Sequence, residues 1–202
     1  MIKFFLATRN DNKIKEISQI LKADLKDIEI KTYLDFPSLK EIEEDGDTIE
    51  ENSRKKAVLC ANFTSMLSIA DDTGLEVAYL NGKPGVYSAR WAGKNCNYTD
   101  NNLKLLKELK GVPFENRKAV FKCVISLAYP KGKVISFLGE VNGFISDKLI
   151  GNNGFGYDPL FYLPEYDKTY AQLETEIKNE ISHRAIALKK LKDYLKNEFD
   201  KN

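Results

Sequence analysis

Apolar positions along this chain recur with two different periods, and each change of period marks an expected element. Ile2 to Thr8 is an apolar, β-rich run and predicts a first strand. Asn12 to Leu21 then carries Ile14, Ile17, Ile20 and Leu21 at helical spacing. Ile28 to Tyr33 alternates as a strand does. Asp47-Thr48-Ile49-Glu50 reads as a capping box with Asp47 as N-cap. It opens a helix whose inner face carries Ile49, Ser53, Ala57, Cys60 and Ala61. Leu67 to Ala70 predicts a buried strand, Asp71 to Gly74 an acidic turn, and Glu76 to Leu80 another short strand. Thr99 caps a third expected helix, with Leu103, Leu106 and Leu109 inside and Gly111 as its stop.

The longest strand signal follows. Ala119, Phe121, Cys123, Ile125 and Leu127 alternate with their neighbours, Pro130 to Lys133 turns the chain, and Val134 to Val141 runs back as a hairpin partner. A Gly/Asn loop spans Gly151 to Gly156. The last helix is expected from about Ser182 to Glu198, with Ser182 as N-cap, Ile181 and Ile186 as a staple, and Leu188, Leu191 and Leu195 as its stripe. Helices alternate with strands early and an antiparallel hairpin sits in the middle. That mixture predicts an α/β protein with a mixed sheet.

Composition narrows the possible partners. The 202 residues include 31 basic and 30 acidic side chains. So even a balance argues against a surface built to grip nucleic acid or an anionic membrane. Cys60, Cys96 and Cys123 are an odd number without metal-type spacing and read as reduced thiols of a cytoplasmic protein. No apolar stretch is long enough to span a bilayer, and Ile2 to Ala7 is too short for a signal-peptide core. No repeat or Pro/Ser-rich linker divides the chain, so residues 1–202 are expected to form a single domain.

Five segments could carry chemistry. Asp71-Asp72 at the end of a buried strand makes a hard, oxygen-rich site of the kind Mg²⁺ prefers; the same residues also suit an ordinary turn. Thr8-Arg9-Asn10-Asp11-Asn12-Lys13 joins the first strand to the first helix, where free N–H groups favour an anion, and Lys13 adds a cation; it equally serves as a polar connector. Glu43-Glu44-Asp45-Gly46 is either a solvated acidic loop or a source of a carboxylate, Glu43, for the metal beside Asp72. Arg90, after Pro84-Gly85, offers a forked phosphate donor or stacks on Trp91. Phe155-Gly156-Tyr157-Asp158 either sandwiches a flat base, with Asp158 accepting from ring N–H groups, or contributes core aromatics. Lys178 and Ser182-His183-Arg184 flank the start of the last helix; His183, the only histidine, is expected there as a neutral hydrogen-bonding group.

In this order, Thr8 to Lys13, Asp45-Gly46 with Glu51-Asn52-Ser53 and Lys56-Ala57, Ala70 to Glu76, Pro84 to Arg90, Gly154 to Phe161 and Ser182-His183-Arg184 resemble the inosine triphosphate pyrophosphatase family, from about residue 2 to residue 191. The resemblance implies a long mixed sheet with flanking helices forming two lobes around an active-site cleft. It implies a Mg²⁺-dependent homodimer that hydrolyses ITP, dITP or XTP to the monophosphate and pyrophosphate. By motif position, Asp72 is the catalytic carboxylate and metal ligand, and Glu43 its partner ligand. Thr8, Arg9, Asn10, Asp11, Asn12, Lys13, Lys56, Thr73, Arg90 and Lys178 fall at substrate positions; Phe155, Gly156 and Tyr157 hold the base; Asp158, Ser182, His183 and Arg184 read its edge. Three residues depart from the pattern. Arg9 and Asn12 stand where glycine is common, and asparagine tolerates a left-handed turn; Gln172 replaces a glutamate. The related Maf-type pyrophosphatases and a non-catalytic nucleotide-binding regulator are the alternatives.

Overall fold

In the computed structural model, residues 2–25 and 27–199 are described. They form β1 (Ile2–Leu6), α1 (Asp11–Asp24), β2 (Ile28–Lys31), α2 (Ile49–Thr64), β3 (Leu67–Val77), β4 (Pro84–Gly85), α3 (Tyr98–Glu108), β5 (Lys118–Ala128), β6 (Val134–Ile145), β7 (Phe161–Leu163), β8 (Lys168–Thr169), α4 (Thr175–Ile181) and α5 (His183–Phe199). The strands order as β2-β1-β3-β5-β6-β7-β8, with β4 beside β3. β1 pairs in parallel with both β2 and β3, whereas β3–β4, β6–β7 and β7–β8 are antiparallel. The sheet is therefore mixed, as the early helix–strand alternation and the central hairpin require.

The chain divides into two compact units: residues 1–72, 123–139 and 184–202, and residues 73–122 and 140–183. In the first, strand alternation sorts side chains onto two helical layers. Phe4, Leu6, Ile69, Cys123, Ile125 and Leu127 pack with Ile17, Ile20 and Leu21 of α1 and Leu188, Leu191 and Leu195 of α5. The intervening residues, Phe5, Ala7, Ala70 and Ala128, pack with Ala57, Cys60 and Ala61 of α2. Small residues at these α2 positions let the helix approach the sheet closely. Ser53 Oγ then lies 3.1 Å from the Ala70 carbonyl oxygen, 3.0 Å from that of Val124 and 2.9 Å from Ser126 Oγ.

The second unit has one core. Leu75, Val77, Ala119, Phe121 and Ile145 from the strands meet Leu105 and Leu109 of α3, together with Tyr157, Leu160, Phe161 and Tyr170. On β3 and β5 in this unit, Glu76 and Lys122 pair at 2.8 Å, which shows the polar alternate face.

Several boundaries differ from expectation. The capping box of α2 is Thr48 with Glu51, one residue beyond the expected pair. Both Asp47–Glu50 and Thr48–Glu51 match the pattern, but only Thr48 turns its oxygen onto the Glu51 N–H. α3 is capped by Asn97 with Asp100 instead of Thr99. The closing helix α5 starts where expected, directly after Ser182, which is extended (φ −70°, ψ 157°) and also ends the short α4, its N–H bonded to the Lys178 carbonyl. The largest difference is that Asp71 to Gly74 is not a turn: β3 runs unbroken from Leu67 to Val77.

Candidate active site

Because β3 is continuous, its period of two sends Asp71 and Asp72 to opposite faces. Asp71 follows Leu67 and Ile69 toward α1 and α5; Asp72 follows Ser68 and Ala70 toward α2. A buried carboxylate needs a counter-ion, and Asp71 has Lys13 and Arg184 beside it.

Asp71 is fully buried. Its Oδ2 accepts from Lys13 Nζ at 2.9 Å and from Arg184 at 3.2 Å. Arg184, 2% exposed, gives its other terminal nitrogen to Glu16 at 2.6 Å. Burial alone would raise the Asp71 pKa, but Lys13, Arg184 and Lys56 together hold it well below the usual carboxylate range. The same pairing outweighs burial at Lys13 and Arg184 and raises both.

Asp72 is 6% exposed, and burial pushes its pKa up to about 6; Lys56 and Lys13 pull against this, and Glu44 and Asp71 add to it. Lys56, also buried, donates to Glu44 and to the Asp71 carbonyl oxygen at 2.6 Å. Three cations, Lys13, Lys56 and Arg184, thus meet four carboxylates, Glu16, Glu44, Asp71 and Asp72. Burial, and not this local charge balance, is the largest cause of the raised Asp72 pKa.

This donor set fits a hard divalent cation. Oxygen ligands are present, the local charge is negative, and Asp72 gains from added positive charge. Among the described residues no three His, Cys, Asp or Glu side chains are gathered for a metal. A Mg²⁺ ion needs only one or two protein carboxylates, because water and phosphate oxygens fill the rest of its shell.

The acidic loop supplies Glu44, not Glu43. Glu43 is exposed, whereas Glu44 is half-buried on Lys56. The β1–α1 turn is held locally: Asn10 caps α1 by accepting from the backbones of Asn12 at 3.1 Å and Lys13 at 3.3 Å, and its own N–H meets Thr8 Oγ1 at 3.2 Å. Asp11 and Asn12 lie exposed in the first helical turn, so Asn12 takes no left-handed conformation and needs no glycine. Arg9 is anchored elsewhere, donating to the Leu39 carbonyl at 3.0 Å with its guanidinium 4.3 Å from the Tyr33 ring centre.

The second unit gathers the other expected residues. Gly154, at φ +74°, lets the loop close on Asp158: a Cβ there would lie 2.0 Å from Asp158 Oδ2. That oxygen accepts from the Phe155 N–H at 2.8 Å and from Lys178 Nζ at 2.6 Å. Lys178 Nζ sits 5.0 Å from the Phe155 ring centre. Lys178 therefore belongs with the aromatic loop. Asn102 of α3 fastens the loop from behind, donating to the Gly156 carbonyl at 2.9 Å. Phe155 is half-buried with Tyr98 at 5.9 Å. Tyr157 is 4% exposed, part of the core, and its hydroxyl donates to the Ser88 carbonyl at 2.9 Å. Of the two expected base-stacking rings, Tyr157 is thus a core aromatic. His183 is buried against Phe121, ring centres 4.1 Å apart. Thr73 is half-buried on β3. Arg90 is half-buried, with its guanidinium 5.2 Å from the Tyr87 ring centre. Gln172 also gains a role, since its Oε1 accepts the Thr169 N–H at 2.9 Å, as a carboxylate oxygen would.

Sequence reasoning missed Glu16 and the separate role of Asp71. Glu16 lies three residues from Lys13 on α1 and reads as an ordinary exposed position until Arg184 is brought beside it. Arg184, expected at the base edge, instead holds both terminal nitrogens on carboxylates.

A model of the Ham1 family matches residues 4–194. The chain is 50% identical over 195 residues to the dITP/XTP pyrophosphatase of Geobacter sulfurreducens, covering 96% of this chain and 97% of that one. It is 49% identical over 194 residues to the dITP/XTP pyrophosphatase of Desulforamulus reducens, covering 96% of each. The Ham1 protein of Staphylococcus aureus superposes with a TM-score of 0.86 at 41% identity, covering 97% of this chain and 99% of that one. A HAM1 protein from Coxiella burnetii gives 0.88 at 39% identity, covering 98% and 100%.

Proposed function

This chain belongs to the Ham1 family, and from that premise we propose that it hydrolyses non-standard purine nucleoside triphosphates (dITP, XTP and ITP) to the nucleoside monophosphate and pyrophosphate. The observation that carries the reading is the buried cluster of carboxylates and cations around Asp72, whose pKa burial raises to about 6, on a chain matched along nearly its whole length by relatives named for this activity.

Asp72 and Glu44 would hold Mg²⁺, which when bound offsets charge on phosphate oxygens and makes water more acidic. Asp72, whose carboxylate the metal would keep ionised, orients the attacking water and takes its proton. Lys56 and Lys13 neutralise phosphate oxygens, and the β1–α1 turn from Thr8 to Lys13 lines the phosphate path. Phe155 offers a flat face to the base, and Lys178, Asp158, Ser182 and His183 set the polar groups around it. Donors placed at the purine six position accept a carbonyl and reject an amino group. An unmet buried polar group costs roughly 1–3 kcal/mol, so ATP is disfavoured.

The family resemblance supports a homodimer, and three cysteines standing as thiols support a reducing, cytoplasmic setting. Pyrophosphate and monophosphate release across eight nucleoside triphosphates, with and without Mg²⁺, tests the proposal. Cleavage of dITP, ITP and XTP at least about 10²-fold above ATP is expected. Equal cleavage of ATP, or release of orthophosphate alone, contradicts it, and binding without cleavage would make the chain a regulator.

A further inference from the structure

Glu44 lies on a segment without regular secondary structure, between Leu39 and the start of α2. A carboxylate on such a loop reaches a fixed place only if the backbone behind it is held. The contacts that hold residues 44–48 come from α2. Lys56 meets the Glu44 carboxylate, Glu51 Oε2 accepts the Asp47 N–H at 2.8 Å, and Lys55 pairs with Asp45 at 2.6 Å. Glu51 and Asp45 are exposed, where such links are weak. Asn52 differs. It is 0% exposed, and its Oδ1 accepts the Gly46 N–H at 2.8 Å. The fit is close, since a Cβ on Gly46 would lie 2.8 Å from Asn52 Oδ1 and 2.9 Å from Glu51 Cβ.

The other end of the Asn52 amide is informative. Nδ2 is buried and has no hydrogen-bond partner among the described residues. An unmet buried donor costs free energy, so packing alone would favour an apolar side chain here. Asparagine here carries that cost, and the bond it does make is to the loop that carries Glu44.

We propose that Asn52 is a positioning residue: through Gly46 it fixes the acidic loop so that the Glu44 carboxylate stands beside Asp72 as the second divalent-cation ligand. The inference rests on the proposed function, specifically on Glu44 and Asp72 as metal carboxylates.

The test is a double-mutant cycle read by direct Mn²⁺ binding to the nucleotide-free protein, using calorimetry or paramagnetic resonance. Glu44→Gln should weaken Mn²⁺ binding. Asn52→Ala should weaken it about 10- to 100-fold, the scale for a group that orients a metal ligand. In the Glu44→Gln background, Asn52→Ala should add less than about twofold, because it acts only through Glu44. A purely structural role would weaken binding equally in both backgrounds and would overturn the inference, as would wild-type affinity in Asn52→Ala. If Asn52→Ala does not fold, Gly46→Ala displaces the same contact from the loop side and must reproduce the loss; wild-type affinity there also overturns it. Unchanged Mn²⁺ binding in Glu44→Gln removes the metal assignment itself, and the inference with it. A weak Glu44→Gln beside a normal Asn52→Ala removes the inference alone.

Discussion

Replacing Asp72 by asparagine should stabilise the metal-free protein, increasingly so as pH rises from about 4 to 6. An ordinary aspartate titrates at 3.8, whereas in the fold Asp72 is pushed up to about 6, chiefly by burial. Between those values the folded protein keeps a proton that the unfolded chain has released. Stability from this group is therefore fully present below pH 3.8 and is lost as pH rises through 6, at about 1.4 kcal/mol per pH unit. Across the window the loss sums to about 3 kcal/mol. Asparagine carries no such proton, so the variant minus wild-type difference isolates the effect from other titrating groups. For a chain of this length about 3 kcal/mol corresponds to roughly 6–12 °C in Tm. Thermal unfolding followed by circular dichroism in a chelating buffer, at half-unit steps from pH 4 to pH 8, measures it. The Tm difference should grow to about pH 6 and then level. Mg²⁺ should stabilise wild type above pH 6, progressively less below it, and the variant little at any pH. A difference independent of pH, or one that shrinks as pH rises, would refute the burial-raised pKa of Asp72.

Asp71→Asn should act oppositely, leaving Lys13 and Arg184 buried beside a neutral group, and should cost about 3–5 kcal/mol in urea denaturation; a loss under about 1 kcal/mol would contradict the pairing. Tyr157→Ala should lower stability by about 3–5 kcal/mol as a core truncation, whereas Phe155→Ala should raise KM for dITP with little change in Tm. The reverse pattern would place the base on Tyr157. Gly154→Ala should break the Asp158–Lys178 arrangement, visible as lost stability together with a raised KM, because the added carbon meets Asp158 at φ +74°.

Much of the frame could be read from residue periodicity. Ile14, Ile17, Ile20 and Leu21 marked α1, and the alternation from Ala119 to Leu127 marked β5, because each buries one face and the sequence must repeat accordingly. Asp71-Asp72-Thr73-Gly74 misled for a physical reason. Two carboxylates beside threonine and glycine have a turn's composition, and nothing nearby in sequence shows that Lys13, Lys56 and Arg184 arrive to neutralise a strand. Glu43 and Glu44 could not be told apart in the sequence, since adjacent glutamates on an irregular loop carry no periodic signal. What separates them is the grip of Lys56 on Glu44 and of Asn52 on Gly46, both supplied by α2. Phe155 and Tyr157 read as a matched pair, yet Gly156 between them, at φ +65°, lets Tyr157 turn into the core while Phe155 stays half-buried.

The most direct measurement is dITP turnover by Asp72→Asn at saturating Mg²⁺ and pH 7.5, with folding checked on the same sample. A fall in kcat of roughly 10²–10³-fold in a folded, stabilised protein is expected when a buried acid–base carboxylate is removed. Turnover within a few-fold of wild type would contradict the account.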